Sequence, residues 1–178
     1  MISAIVAVDN NWGIGYNGDL LISIPDDLKH FKDVTSGHTV VMGLNTWNSL
    51  PKKPLPNRLN IVIDFVNKIN YYDGYIVQNL ENTIEMMKFS LEKNQDLQFF
   101  IMGGGSIYRQ LLPYCDKVYV TKINKTFDNV DTYFPNLDTD NDWEISKIGE
   151  PQEYNNIPYS FCEYSRTNLT NPKKFCII

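Results

Sequence analysis

The sequence predicts an α/β fold: a mostly parallel sheet with an antiparallel C-terminal edge and flanking helices. Three observations lead there. Short apolar runs rich in β-branched residues recur along the chain. Segments with helical spacing or helix-start signals lie between them. The last third alternates polar and apolar residues and has no helical stripe. Continuous apolar strands imply cover on both faces, whereas alternating ones imply a half-exposed antiparallel edge.

The elements follow in order. "ISAIVAV" (residues 2–8) is a buried strand, and the polar, glycine-containing "DNNWGIGYNGD" after it is a loop. A helix is expected over 25–34, because Pro25 suits a first helical position and acids follow it. "TVVM" (39–42) is a strand and "GLNTWNSL" a short helix. "LNIVI" (59–63) and "YIV" (75–77) are further strands. Asn79 caps a helix in which Ile84, Met87 and Leu91 form the apolar stripe. "QFFIM" (98–102) runs into "GGGSIYRQLL", a helix start, and "KVYVTKI" (117–123) is the next strand. "WEISKIG" and "YSFCEYS" read as an antiparallel pair. One domain is expected over 1–166, with residues 167–178 as a tail.

Composition narrows the function. Of 178 residues 43% are apolar, enough for a real core, and the net charge of -5 argues against a nucleic-acid surface. The three cysteines have no framework spacing, which fits a reducing compartment. The N-terminal stretch lacks the pattern of an export signal, and no apolar run reaches the ~20 residues that span a bilayer. A cytoplasmic protein without membrane or nucleic-acid partners is expected, and a monomer. His30 and His38 make no metal cluster.

Two stretches carry chemistry. At about 100° per residue, Ile24, Leu28, Phe31 and Val34 share one face of the first helix, and Asp27 falls inside that stripe. Asp26 falls opposite and reads as an ordinary solvated first-turn acid. Asp27 either caps nearby backbone N–H groups or lines a pocket for a cationic or amidine-like ligand. In a pocket, desolvation would raise its pKa towards that of a working proton donor. "IMGGGSIY" places Gly103, Gly104 and Gly105 between a strand and a helix, which suits either a tight turn or a close approach to phosphate. Thr46 in "MGLNTWNSL" adds a hydroxyl from a second strand-to-helix turn.

Taken in order, "MISAIVAV", "WGIGYNGDL", "IPDDLKHFK", "VVMGLNTWNSL", "PLPNRLNIVI", "FIMGGGSIYRQLLP", "VYVTKI" and "DTYFP" resemble the dihydrofolate reductase family. The resemblance implies an eight-stranded sheet and hydride transfer from NADPH, with NADH possible, to 7,8-dihydrofolate. It also implies susceptibility to antifolate inhibitors. A same-fold reductase of a riboflavin precursor and a non-catalytic folate- or nucleotide-binding protein are the alternatives. By the resemblance, Asp27 is the acid that holds the pterin, and Thr121 fixes its orientation. Ile5 and Met102 carbonyls would face the pterin, and Leu28, Phe31, Leu50 and Leu55 would wall the aromatic ring. Arg58, with Lys32 and Lys53, would meet the acidic tail of the substrate. Ala7, Ile14, Gly15 and Leu20 would border the nicotinamide, under a lid formed by residues 9–24. Gly43, Leu44, Asn45, Thr46, Gly103, Gly104, Gly105, Ser106, Ile107 and Tyr108 would line the pyrophosphate side. Asp64, Phe65 and Gln78 would lie at the adenosine end, and Gly103-Gly104 would be the family's cis pair.

Two features depart from the family pattern. Leu21-Ile22 replaces the usual Pro-Trp, so a catalytic-site indole N–H that anchors water is replaced by Ile22, which has no donor. Leu44, Asp64, Phe65 and Ser106 stand where basic and hydroxyl side chains usually read the 2′-phosphate. Without a cation there, weak discrimination against NADH is expected unless a nearby base such as Lys68 supplies the charge.

Overall fold

The structure is a computed structural model that describes residues 1–65, 69–72 and 74–167. Its elements begin β1 (Ile2–Val8), β2 (Gly13–Tyr16), β3 (Asp19–Leu20), α1 (Pro25–Thr35), β4 (Thr39–Gly43), α2 (Leu44–Ser49), β5 (Leu59–Ile63), β6 (Asn70–Tyr72) and β7 (Tyr75–Gln78). They continue with α3 (Leu80–Lys93), β8 (Phe99–Ile101), α4 (Gly105–Leu111), β9 (Lys117–Ile123), β10 (Thr132–Tyr133), β11 (Trp143–Ile148), β12 (Gln152–Tyr154) and β13 (Ile157–Arg166).

The main sheet runs β11-β13-β9-β1-β8-β4-β5-β7-β6, with β12 paired to β13. From β9 to β7 the pairs are parallel, and β13 turns the edge antiparallel. Residues 2–8, 59–63 and 117–123 form strands with the bounds expected from sequence, and the others agree within one or two residues. The implied eight strands are all present. The short edge strands β6 and β12 bring this sheet to ten. β6 is exposed along its length and has no apolar pattern, so it was invisible to periodicity.

The continuous apolar runs are explained by two cores, one on each sheet face. In β1, Ile2, Ala4, Val6 and Val8 join the core that includes Met87 of α3 and Ile107 and Leu111 of α4. Ile5 points the other way, with Val40, Met42, Val62 and Phe100, and meets Phe31 and Val34 of α1 and Trp47 of α2. Period two thus operates inside runs that look uniform. Burying such a side chain contributes about 1.5–3 kcal/mol, so the central strands form a rigid base for what lies at their ends. Asn79 accepts from Asn82 N at 2.8 Å, the cap expected at the start of α3.

The segment after β1 differs from expectation. It is a small antiparallel sheet, β10-β2-β3, and not a plain loop. Its strands are two to four residues long, too short for any hydrophobic period to register. Residues 168–178 and Lys68 lie outside the described residues, so the expected tail and that possible cation have no structural account.

Candidate active site

A cleft of about 690 Å³ opens at the C-terminal ends of the parallel strands, the usual ligand position in an open α/β sheet. Ile5, Val6 and Ala7 of β1 and Met102 after β8 line it, with Asp27, Leu28 and Phe31 of α1 and Leu50 after α2. Ile14, Gly15 and Leu20 close the lid side. The stripe on α1 is therefore split in use. Val34 packs on the core, Phe31 both packs there and lines the cleft, and Leu28 lines the cleft and is 47% exposed.

Asp27 stands among these apolar groups. Its Oδ1 accepts a 2.6 Å bond from Thr121 Oγ1. Thr121 is buried on β9 directly beside Ala7 of β1. Burial pushes the Asp27 carboxyl above its ordinary 3.8, and the Thr121 hydroxyl and nearby His30 pull it back in part. Among the described residues, no protein donor reaches the other carboxylate oxygen, Oδ2. Among the described residues no backbone N–H donates to Asp27, which speaks against the capping alternative. His30 is itself held low by burial, against the pull of Asp27, Asp33 and Glu163. Its ring lies 4.2 Å from that of Phe161. Asp26 is not merely solvated: it accepts from Tyr159 Oη at 3.2 Å, a tie from α1 to β13 that helical phase could not show.

The glycine turn forms the far wall. Gly103–Gly104 is cis, and Gly103 has φ +117, a conformation that favours glycine. A Cβ at either Gly103 or Gly104 would lie 3.4 Å from Thr46 Oγ1, an ordinary contact distance, so the two strand-to-helix turns meet here and only the φ of Gly103 calls for glycine. Gly104, Gly105, Thr46 and Asn45 all line the cleft. The cradle is thus shaped for a group that needs close backbone approach, and these residues fit a nucleotide pyrophosphate.

Several expected site residues are placed differently. Tyr108 lines the cleft floor, but its hydroxyl donates to Ile5 O at 2.7 Å and so holds the strand. Ile107 is buried in the core under Gly43, whose N–H donates to Gly103 O. Gln78 is buried, with Nε2 3.8 Å from Met86 Sδ, and does not reach the surface. Leu44, Phe65 and Ser106 are exposed beyond the cleft lining, and Asp64 is half-buried there with its N–H on Gln78 O. Lys53 donates to Trp47 O and Asn48 O, both at 3.1 Å, so its ammonium is spent on the end of α2. Lys32 is exposed on α1 and outside the cleft lining. Leu55 packs behind the wall with Leu50 and Phe31. Ile22 packs with Ala7 around Ile24, Ile123 and Tyr159, so it is a core contact with no polar atom and not a cleft group. Arg58 is anchored: Nη1 donates to Thr35 Oγ1 at 2.9 Å, Nε to Pro56 O at 3.1 Å, and the guanidinium sits over the Phe31 ring at 5.5 Å. Burial lowers its pKa.

Part of the lining was expected only as lid (Gly18, Asp19 and Ser23, within residues 9–24), and part was missed. Ser23 stands four residues before Asp27, and Ser49 and Pro51 flank Leu50. Gly18, Asp19 and the distant pair Asp131 and Thr132 also face the cleft. Asp131 pins the lid: its N–H donates to Gly15 O at 3.1 Å and its Oδ2 accepts from Asn17 N at 2.8 Å. The only sequence signal for that pair was its place in "DTYFP", since a contact across 114 residues leaves no local period.

A cleft at the ends of a parallel sheet, with a desolvated acid on one wall and a glycine cradle on the other, defines an α/β enzyme that sets a small substrate against a nucleotide. The chain belongs to the dihydrofolate reductase family, whose model, described as Dihydrofolate reductase, matches residues 1–166. It is 36% identical over 177 residues to a dihydrofolate reductase of Bacillus subtilis, covering 98% of this chain and 100% of that one. It is 33% identical over 167 residues to one of Staphylococcus aureus, covering 93% and 98%. It is 34% identical over 162 residues to one of Buchnera aphidicola, covering 90% and 95%. Among the described residues, no helix is long and apolar enough to cross a membrane.

Proposed function

We propose that this cleft reduces 7,8-dihydrofolate to tetrahydrofolate, with Asp27 as the acid that binds the pterin and manages the proton. The Asp27–Thr121 pair carries the reading. Among the described residues it leaves Oδ2 without a donor and Oδ1 able to accept a second bond beside that from Thr121, in surroundings that favour the protonated acid. A 2-amino pterin offers two adjacent donors, the pattern a carboxylate pairs with in parallel. The family match over residues 1–166 favours dihydrofolate over a riboflavin precursor. Ile5 and Met102 line the same cleft, with the Ile5 carbonyl already accepting from Tyr108, and Leu28, Phe31 and Leu50 would wall the aromatic ring.

Arg58 would take the carboxylate tail. Two of its donors are committed inside the protein, which fixes the guanidinium plane before a ligand arrives. Lys53 is already engaged and has no such role.

NADPH is the cofactor of the family and supplies the hydride when bound. Thr46, Gly104, Gly105 and Ser106 would hold its pyrophosphate, and Ala7, Ile14, Gly15 and Leu20 would border the reacting ring and exclude water. Leu44, Asp64, Phe65 and Ser106, at the adenosine end, bring no positive charge to a 2′-phosphate. We therefore read the enzyme as accepting NADH as well, which a comparison of kcat/KM for the two nucleotides checks; a thousandfold preference for NADPH would end that part. With Ile22 packed away, Ser23 is the nearest hydroxyl before α1 that lines the cleft, and it would anchor the proton-bearing water. The whole reading rests on one assay. Dihydrofolate-dependent loss of NADPH absorbance is expected, and binding of either ligand without turnover would contradict it. A cytoplasmic monomer, inhibited by antifolates that imitate the pterin, completes the reading.

A further inference from the structure

Asp9 is 3% exposed, and the chemistry described above does not use it. Its carboxylate is nevertheless fully engaged. Oδ1 accepts from Asn11 N at 2.9 Å and from Gly13 N at 2.7 Å. Oδ2 accepts from Phe127 N at 3.2 Å, 118 residues away. The Asp9 backbone adds a bond from its N–H to Gly13 O and one from Trp12 N to its own carbonyl. One side chain thus ties the end of β1 to the two segments that lead into β2 and β10.

Those two strands form a wall of the cleft. β2 carries Ile14 and Gly15, and Thr132 of β10 pairs with Gly15. The packing at the knot is close. A Cβ on Gly13 would fall 2.7 Å from Val130 Cγ1 and 3.0 Å from Asp9 Oδ1. The spacing of the two segments is therefore set by the carboxylate and by the bare glycine beside it.

We propose that Asp9 is a positioning residue for the cofactor: it sets the β2–β10 wall at the distance from β1 that the nicotinamide ring requires. The proposal rests on the reading above, in which Ala7, Ile14 and Gly15 border that ring. A carboxylate suits the task because it accepts on both oxygens at once. An amide accepts on one only, and its NH2 would face the N–H of whichever segment it abandoned.

Asp9→Asn is the test, with Gly13→Ala as an independent disturbance of the same knot. Tryptophan-fluorescence titration gives Kd for NADPH and for dihydrofolate, and amide exchange without ligand follows Gly13 and Phe127. In Asp9→Asn the NADPH Kd is expected to rise about tenfold, while that of dihydrofolate stays within about twofold, because a wall misplaced by a fraction of an ångström acts on the ligand it borders. Exchange at Gly13 or Phe127 should quicken, and Gly13→Ala should show the same split between ligands. Equal weakening of both ligands, or unchanged NADPH binding with faster exchange, would mean a purely structural acid and overturn the proposal. Failure of the wild-type protein to bind NADPH would instead overturn the reading on which it rests.

Discussion

Two carboxylates, Asp27 in the cleft lining and Asp9 buried at the end of β1, are treated in opposite ways. Asp9 is satisfied by backbone N–H groups from both segments it joins. Asp27 has one hydroxyl donor and is otherwise desolvated, so its charged form is held at a disadvantage. The first arrangement fixes backbone, and losing it orphans buried donors. The second keeps an acid poised for a ligand, at a cost to the folded state. Burial alone therefore does not mark a functional carboxylate; the number and type of its donors separates the two.

The contrast can be broken most forcefully at Asp27. Asp27→Asn is expected to lower kcat/KM at pH 7 by about 10²–10⁴-fold, the range of a lost acid–base group. It should not lower stability. The folded pKa of Asp27 is raised above 3.8, so its contribution is fully present below that pH and is lost as pH rises through the folded value. At neutral pH the amide is thus expected to melt no lower than wild type, which thermal denaturation checks. Asp9→Ala should behave in reverse. Three orphaned N–H groups, at about 1–3 kcal/mol each when left unsatisfied, predict a loss of about 3 kcal/mol or more in urea denaturation.

Smaller effects sharpen the picture. Arg58→Lys should raise KM for dihydrofolate about tenfold with kcat nearly unchanged, because an ammonium cannot keep the Thr35 and Pro56 bonds and also present a planar fork. Thr121→Val removes the donor that favours the charged form of Asp27, so the high-pH fall in rate should move to still higher pH.

Much of this was legible from residues alone. Helical phase separated Asp27 from Asp26 because a 3.6-residue repeat converts position into direction, and the apolar runs located the central strands within a residue or two. What escaped has a common physical cause. The lid hairpin is too short to show a period, Asp131 and Thr132 reach the cleft through tertiary contacts with no local signature, and the Phe127 N–H reaches Asp9 in the same way. Asp26 looked solvated because its partner, Tyr159, lies 133 residues away. The family pattern also misled where a side chain had a nearer partner. Lys53 went to the end of α2 and Gln78 turned inward to Met86.

The difference between the two acids is tested most directly by titrating the Asp27 carboxyl carbon by NMR in the ligand-free protein, with Thr121→Val beside it. The expected midpoint lies above 3.8 in wild type and higher still in the variant. A wild-type midpoint at or below 3.8 would contradict the account, because burial would then not hold the charged form of Asp27 at a disadvantage.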